Sequence, residues 1–128
     1  MIRSYGPADD DWTATHAPAA DTQATCVKAA VGRKRNVCQS ITVMLCATAS
    51  APTAVQVTVS LIDGVSGGTA YLWRAHLSLP AVAGASTGIT LGPGLSIIGS
   101  QNTAMTLEFS AKGGSNTVES VAMTGDLL

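Results

Sequence analysis

Charged side chains are scarce in this sequence. Only 12% of its 128 residues are Asp, Glu, Lys or Arg, about half of the roughly 25% found in an ordinary globular domain. The formal net charge is −1, so the chain lacks the positive field with which proteins attract nucleic acid. Ser, Thr, Gln, Asn, Gly and Ala fill its polar positions instead. Weakly charged surfaces of this kind suit permanent contact with other subunits.

The sequence also lacks the groupings of side chains that enzymes and metal sites need. A cupin-type metal site requires a His-x-His pair, a later His and a carboxylate, whereas the only histidines are His16 and His76. The run Asp9 to Asp11 lacks the turned, glycine-containing loop that calcium prefers. The glycine-rich stretches 64–68 and 92–99 lack the Lys-Ser/Thr ending of a phosphate-binding loop. No nucleophile stands beside a base. We therefore expect no enzymatic activity, no metal and no cofactor.

The three cysteines, Cys26, Cys38 and Cys46, form an odd set without a C-x-x-C spacing. This argues against a disulfide framework and a zinc site and favours free, buried thiols. Cys38 and Cys46 are eight residues apart on one predicted strand, so alternation places them on the same side and too far apart to bond. Cys26 and Cys38 lie symmetrically about Gly32, where a hairpin would bring them opposite one another.

Long apolar runs are missing as well. No stretch approaches 18 uninterrupted apolar residues, and the opening MIRSYGPADDDW has no apolar core like that of a secretory leader. We expect a protein that is made and kept in the cytoplasm and has no membrane partner.

Alternation of apolar and polar residues is the strongest pattern present. It runs unbroken through residues 55–63 (VQVTVSLID) and recurs towards the C-terminus, which is typical of strands with one buried face. With turn residues every eight to twelve positions, it predicts an all-β fold without helices, an antiparallel β-sandwich or jelly roll of about eight strands over residues 22–128. The predicted strands are 22–30, 36–49, 55–63, 71–79, 87–91, 95–98, 105–111 and 117–124. The predicted core residues are Ile41, Val43, Leu45, Val55, Val57, Val59, Leu61, Met105, Leu107 and Phe109.

Residues 1–21 have a different composition. They combine the acids Asp9, Asp10 and Asp11 with prolines and alanines and show no periodicity, which predicts an extended N-terminal arm. Trp12 is costly to leave in water, so it should dock either on its own domain or on a neighbouring subunit.

Two further groups are candidates for protein contacts. The triplet Arg33, Lys34 and Arg35 lies on a predicted hairpin tip without aromatic side chains that could stack on bases. It is either a solvated turn or a partner for an acidic surface, such as the acid run of an adjacent copy. Arg74, which follows Trp73, is another candidate, because guanidinium groups stack on aromatic rings and are enriched in interfaces.

Several segments together resemble small virion proteins of tailed bacteriophages. The segments are MIRSYGPADDDW, the RNV-x-Q-x-I of residues 35–41, LIDG at 61–64, YLWRAHL at 71–77 and GLSIIGSQNTAMTLEFSA at 94–111, so the similarity covers nearly the whole chain. Some proteins of this group are jelly-roll cement or decoration proteins that bind the outside of the capsid and join neighbouring capsomers.

The resemblance implies a structural protein on the virion's capsid surface, with the major capsid protein and further copies of itself, as a dimer or trimer, as partners. The alternative is a tail or fibre module that binds a host receptor or glycan, since jelly rolls also host lectins. The candidate interface residues are Tyr5, Asp9, Asp10, Asp11, Trp12, Arg33, Lys34, Arg35, Trp73 and Arg74.

Overall fold

A computed structural model describes residues 10–128, which form nine β-strands in two antiparallel sheets packed face to face. The strands are β1 (Asp11–His16), β2 (Thr25–Lys28), β3 (Arg35–Ala47), β4 (Val55–Asp63), β5 (Tyr71–Leu79), β6 (Ser86–Leu91), β7 (Ile97–Gln101), β8 (Met105–Phe109) and β9 (Thr117–Leu127). No α-helix occurs in this range. The predicted all-β sandwich is confirmed.

The order of the strands is that of a jelly roll. The first sheet runs β1-β9-β3-β6, with β7 also paired to β3, and the second sheet runs β2-β8-β4-β5. Apart from the hairpin β4-β5 and the succession of β6 and β7, each connection passes from one sheet to the other. Sheets of five and four strands joined in this way enclose a single core.

The core follows from the alternation in the strands. All ten predicted core residues lie between the sheets; nine are buried, and Val55 is half-buried against the others. Phe109 is the only phenylalanine of the chain and is completely buried. Aliphatic side chains and methionines supply most of the remaining core volume.

The first strand lies within the predicted arm. Residues Asp11–His16 pair with β9 along their whole length, from Asp11 opposite Asp126 to His16 opposite Val121. The segment alternates outward and inward side chains, and its inward tryptophan anchors it to the core. Residues 11–16 are thus part of the first sheet, whereas residues 1–9 of the predicted arm lie outside the described residues.

A β-bulge in β3 corrects the prediction for the cysteines. The register with β9 shifts between Cys38 and Ser40, so Gln39 is an extra residue in the strand. Side chains on either side of a bulge lose their simple alternation. Cys38 is therefore buried in the core, whereas Cys46 is half-buried on the opposite face of the sheet.

The predicted hairpin at Gly32 does not form, because β2 pairs with β8 in one sheet and β3 pairs with β9 in the other. Cys26 and Cys38 are thus not cross-strand neighbours. Both thiols are free and buried, as expected. Burial raises the pKa of Cys26 to about 12 and that of Cys38 to about 11, so both thiols stay protonated at neutral pH.

Candidate interaction surfaces

The outer side of the first sheet carries a face without charged side chains. Its side chains form rows across the strands, because antiparallel register places residues of adjacent strands opposite one another. The central row joins Thr15, Ala122, Thr42 and Thr90. The uncharged face, as we define it, consists of Thr13, Thr15, Ser40, Thr42, Met44, Cys46, Ser86, Gly88, Thr90, Val118, Ser120, Ala122 and Thr124.

Small residues keep this face even. Met44 lies over Gly88 of the neighbouring strand, where a Cβ atom would stand 2.4 Å from the Met44 sulfur and 2.7 Å from the Val43 carbonyl oxygen. Gly88 therefore provides the space that Met44 occupies. The hydroxyls of Ser40 and Thr124 form a hydrogen bond with each other across the adjacent strands β3 and β9, which meets part of their hydrogen-bonding capacity within the sheet.

The uncharged face ends at the β-bulge, next to a cavity of about 470 Å³. The cavity is lined by Asp11, Trp12, Thr13, Gln39, Thr124, Gly125 and Asp126. Asp11 and Asp126 are opposite each other in the register, so two carboxylates mark this edge. The carboxylates on the outer side of the first sheet are thus gathered at the end of the sandwich where Arg35 begins β3.

Trp12, a predicted interface residue, is buried in its own domain. It is 8% exposed, and its indole Nε1 donates to the Asp126 carbonyl oxygen at 3.0 Å. A Cβ on Gly125 would lie 2.3 Å from the indole ring and 2.1 Å from the Val37 carbonyl oxygen, so the ring packs where only glycine leaves room. Of the two predicted docking places, the structure has the intramolecular one, and the indole presents little surface to a partner.

The acid run is only partly described. Asp10 is half-buried and Asp11 is exposed at the start of β1. Asp9, like Tyr5, lies outside the described residues.

The basic triplet lies in the connection between β2 and β3 and at the start of β3. Arg33, Lys34 and Arg35 are all exposed. The Arg33 carbonyl oxygen accepts from Gln101, and the Arg35 guanidinium donates to the Gly99 carbonyl oxygen at 3.1 Å. The backbone of this turn is fixed by β7, while the side chains of Arg33 and Lys34 point to solvent.

Trp73 and Arg74 are adjacent on β5 and point to opposite sides of the second sheet. Trp73 is half-buried against the core, whereas Arg74 is exposed on the outer face. The Arg74 guanidinium stacks on the Tyr71 ring at 4.0 Å from its centroid, and its Nε donates to the Ser60 hydroxyl at 3.2 Å. The predicted stacking of Arg74 on an aromatic ring is present, but its partner is Tyr71.

Glu108 faces Arg74 across a shallow cavity of about 160 Å³. In the register, Ser60 of β4 stands opposite Glu108 on one side and Arg74 on the other. Glu108 accepts hydrogen bonds from the Thr25 and Ser66 hydroxyls and from the Gly67 amide. Its carboxylate therefore ties the β4-β5 connection to the sheet.

Glu119 is a buried carboxyl group on the inner side of β9. It is 1% exposed, and its Oε1 accepts from the Ala24 amide at 2.9 Å. Its Oε2 has no hydrogen-bond partner in the described part of the chain. Burial raises the pKa of Glu119 from 4.5 to about 7, against the opposing effect of the Ala24 hydrogen bond.

Sequence reasoning missed the uncharged face, Glu108 and Glu119. The alternating pattern reveals which residues point outward on each strand, but the rows depend on which strands are neighbours. Glu119 does leave a signal in the sequence, since it shares the parity of Val121 and Met123 in an alternating strand.

The described residues contain no cluster of three or more histidine, cysteine or acidic side chains suited to a metal ion. Residues 10–128 also contain no helix with the length and hydropathy needed to span a membrane. No protein-family model matches the chain, and no curated protein matches it in sequence.

Proposed function

We propose that this chain is a structural protein of a tailed-bacteriophage virion, a decoration or cement protein that binds the outer head surface and stabilises contacts between capsomers. Its partners are the major capsid protein and other copies of itself, as a dimer or trimer. It is made in the host cytoplasm and joins the capsid surface. The observation that carries the proposal is the uncharged face of the first sheet.

The composition of that face favours lasting contact with protein. Interface cores are depleted in charge because a desolvated ion without a partner is costly. Hydroxyl groups such as those of Thr42 and Thr90 can exchange water for a partner's polar groups at little net cost. A surface of this kind suits a molecule whose function is to stay bound, and the proposal assigns it no catalytic step.

Many weak contacts would make such a protein effective. When one copy joins two capsomers, separating the capsomers also requires breaking the contacts of that copy. The stabilisation grows with the number of bound copies. A small interface on each copy is sufficient for this mechanism.

The basic turn is the part of the proposed interface that charge complementarity would orient. Arg33 and Lys34 project from one end of the sandwich, where they would attract an acidic surface and speed association. Lys112 is also exposed but lies in the β8-β9 connection at the other end of β3, so it serves as a matched control.

The test is binding to capsids that lack the protein, followed by cryo-electron microscopy of the particles. We expect regular density at symmetry positions between capsomers. The double variant Arg33→Glu, Lys34→Glu should bind more weakly and with an altered salt dependence, whereas Lys112→Glu should bind like the wild type. Capsids that stay bare, or protein found only at the tail, would contradict the proposal.

The alternative is a tail or fibre module that binds a host receptor or glycan, and one observation favours it. Tyr71 is 43% exposed beside the cavity that Arg74, Ser60 and Glu108 line, and sugar sites combine an aromatic ring with polar groups. However, Arg74 already stacks on this ring, and Glu108 already accepts three hydrogen bonds within the chain. A glycan-binding assay with Tyr71→Ala as the comparison would test this alternative.

A further inference from the structure

We infer that the uncharged face is a self-association surface, through which two copies of this chain stack sheet against sheet about a two-fold axis. The inference rests on the proposed function only for the expectation that the chain associates with itself. It adds the surface, the symmetry and the residues at the centre.

Charge is the first argument for a second copy as the occupant. A two-fold contact brings the same patch of both copies together, so any charged group near the axis meets its own like charge. None of the 13 residues of the uncharged face is charged. The outer face of the second sheet, by contrast, carries Arg74, Glu108 and His76. The uncharged face is therefore the one that two copies can share without repulsion.

Shape is the second argument. Sheets pack face to face about 10 Å apart when their side chains are of modest size. The row through Thr42 contains only alanine and threonines, and Met44 lies flat in the space that Gly88 leaves. No long side chain rises from the centre of the face to hold a second sheet away.

Area sets the strength of the contact. The uncharged face takes in residues 13–15 of β1, 118–124 of β9, 40–46 of β3 and 86–90 of β6, 22 positions in all. At about 3.4 Å per residue and about 4.8 Å between strands, it covers roughly 360 Å². Two copies would bury roughly 720 Å² between these faces, less than a stable interface buries. We therefore expect a weak pair that forms at high protein concentration.

Cys46 provides a direct reporter of this contact. It belongs to the uncharged face and is half-buried, while Cys26 and Cys38 are buried in the core. A thiol reagent such as a maleimide should therefore modify Cys46 first. If two copies stack on this face, the rate of modification should fall as the protein concentration rises.

The decisive comparison uses one lysine on each outer face. Thr42→Lys places a charge at the centre of the uncharged face, whereas Gln56→Lys places one at an exposed position on β4 of the second sheet. At 100 µM, we expect sedimentation of the wild type and of Gln56→Lys to give an average mass clearly above the 12.9 kDa of one chain. Thr42→Lys should dissociate at least tenfold more readily and lose the concentration-dependent protection of Cys46.

Three results would overturn the inference. They are a wild type that stays monomeric at 100 µM, a Thr42→Lys variant that associates like the wild type, and Cys46 reactivity that is independent of concentration. Circular dichroism and continued protection of Cys26 and Cys38 would verify that the variants are folded. The sedimentation experiment uses the isolated protein, so its outcome is independent of the capsid-binding test. A protein that dimerises but does not bind capsids would count against the proposed function alone. A protein that binds capsids but stays monomeric would count against this inference alone.

Discussion

The buried carboxyl group of Glu119 should make the stability of the protein depend on pH. Its carboxyl group is enclosed between the sheets, where one oxygen accepts from the Ala24 amide and the other has no partner in the described part of the chain. An ionised carboxylate in such a place loses most of its hydration. The stability of the protein should therefore depend on the protonation of this one group.

The direction in which stability changes with pH follows from the pKa values of Glu119 in the unfolded and folded states. The carboxyl group titrates near 4.5 when the chain is unfolded and at about 7 when it is folded. Below pH 4.5 it is protonated in both states and costs nothing. Between pH 4.5 and 7 only the unfolded state ionises, so stability is lost as the pH rises. A difference of about 2.5 pH units corresponds to a loss of about 3 kcal/mol, which is complete above pH 7.

The test is the substitution Glu119→Gln. The amide keeps an oxygen for the Ala24 N–H and carries no charge at any pH. Its free energy of unfolding, minus that of the wild type, should rise by about 3 kcal/mol between pH 4 and pH 8. Urea titrations followed by circular dichroism at several pH values measure this difference. His16 and Asp21, which accept from the Thr25 and Thr117 amides nearby, are common to both proteins and cancel.

Glu108→Gln is the matched control. Glu108 accepts three hydrogen bonds, and an amide nitrogen in place of one oxygen would face donors, so this variant should be less stable than the wild type at neutral pH. If Glu119→Gln has the same pH dependence as the wild type, or is less stable at pH 8 by as much as Glu108→Gln, the reasoning about the buried carboxyl group is refuted.

Three further predictions concern the packing of β1 and the thiols. Trp12→Ala should lower the free energy of unfolding by about 3–5 kcal/mol. Trp12→Phe keeps an aromatic ring in the core, so its main loss should be the hydrogen bond to the Asp126 carbonyl oxygen, about 1 kcal/mol in addition to the effect of the smaller ring. Denaturant titration measures both losses, and equal losses in the two variants would contradict the role of the ring. Gly125→Ala should destabilise by about 1–3 kcal/mol because its Cβ would meet the indole ring, and a wild-type melting temperature would refute this contact. In native protein, mass spectrometry should find Cys46 modified well before Cys26 and Cys38; equal rates would contradict their burial.

The fold could be predicted from the sequence because its strongest signals are local. Alternation in residues 55–63 and 105–109 identified both the strands and their inward residues, and turn residues separated them. The strand β1 was missed because prolines and acids surround DWTATH, although Trp12 and Ala14 already alternate with polar residues. The bulge at Gln39 leaves no local signal, since it depends on how β3 meets β9, and it places Cys38 on the opposite side of the sheet from Cys46.

The candidate surfaces were less accessible to sequence reasoning for the same reason. Arg74 was identified as a contact residue, but its stacking partner is Tyr71, three positions earlier, beside the register shift between β4 and β5. Individually, neutral residues such as Thr15, Thr42 and Thr90 give no sequence signal for an interface. They become one surface only when the strand order brings β1, β9, β3 and β6 side by side.

The outer faces of the two sheets differ in charge, and this difference limits how copies of the chain can associate. A molecule whose faces were both uncharged would stack without limit, because each added copy would expose another uncharged face. Here the outer face of the second sheet carries the exposed Arg74 and His76, and polar, hydrated groups of this kind oppose further stacking. We therefore expect association through the first sheet to stop at a closed pair, which leaves the charged ends, including Arg33 and Lys34, available to a different partner.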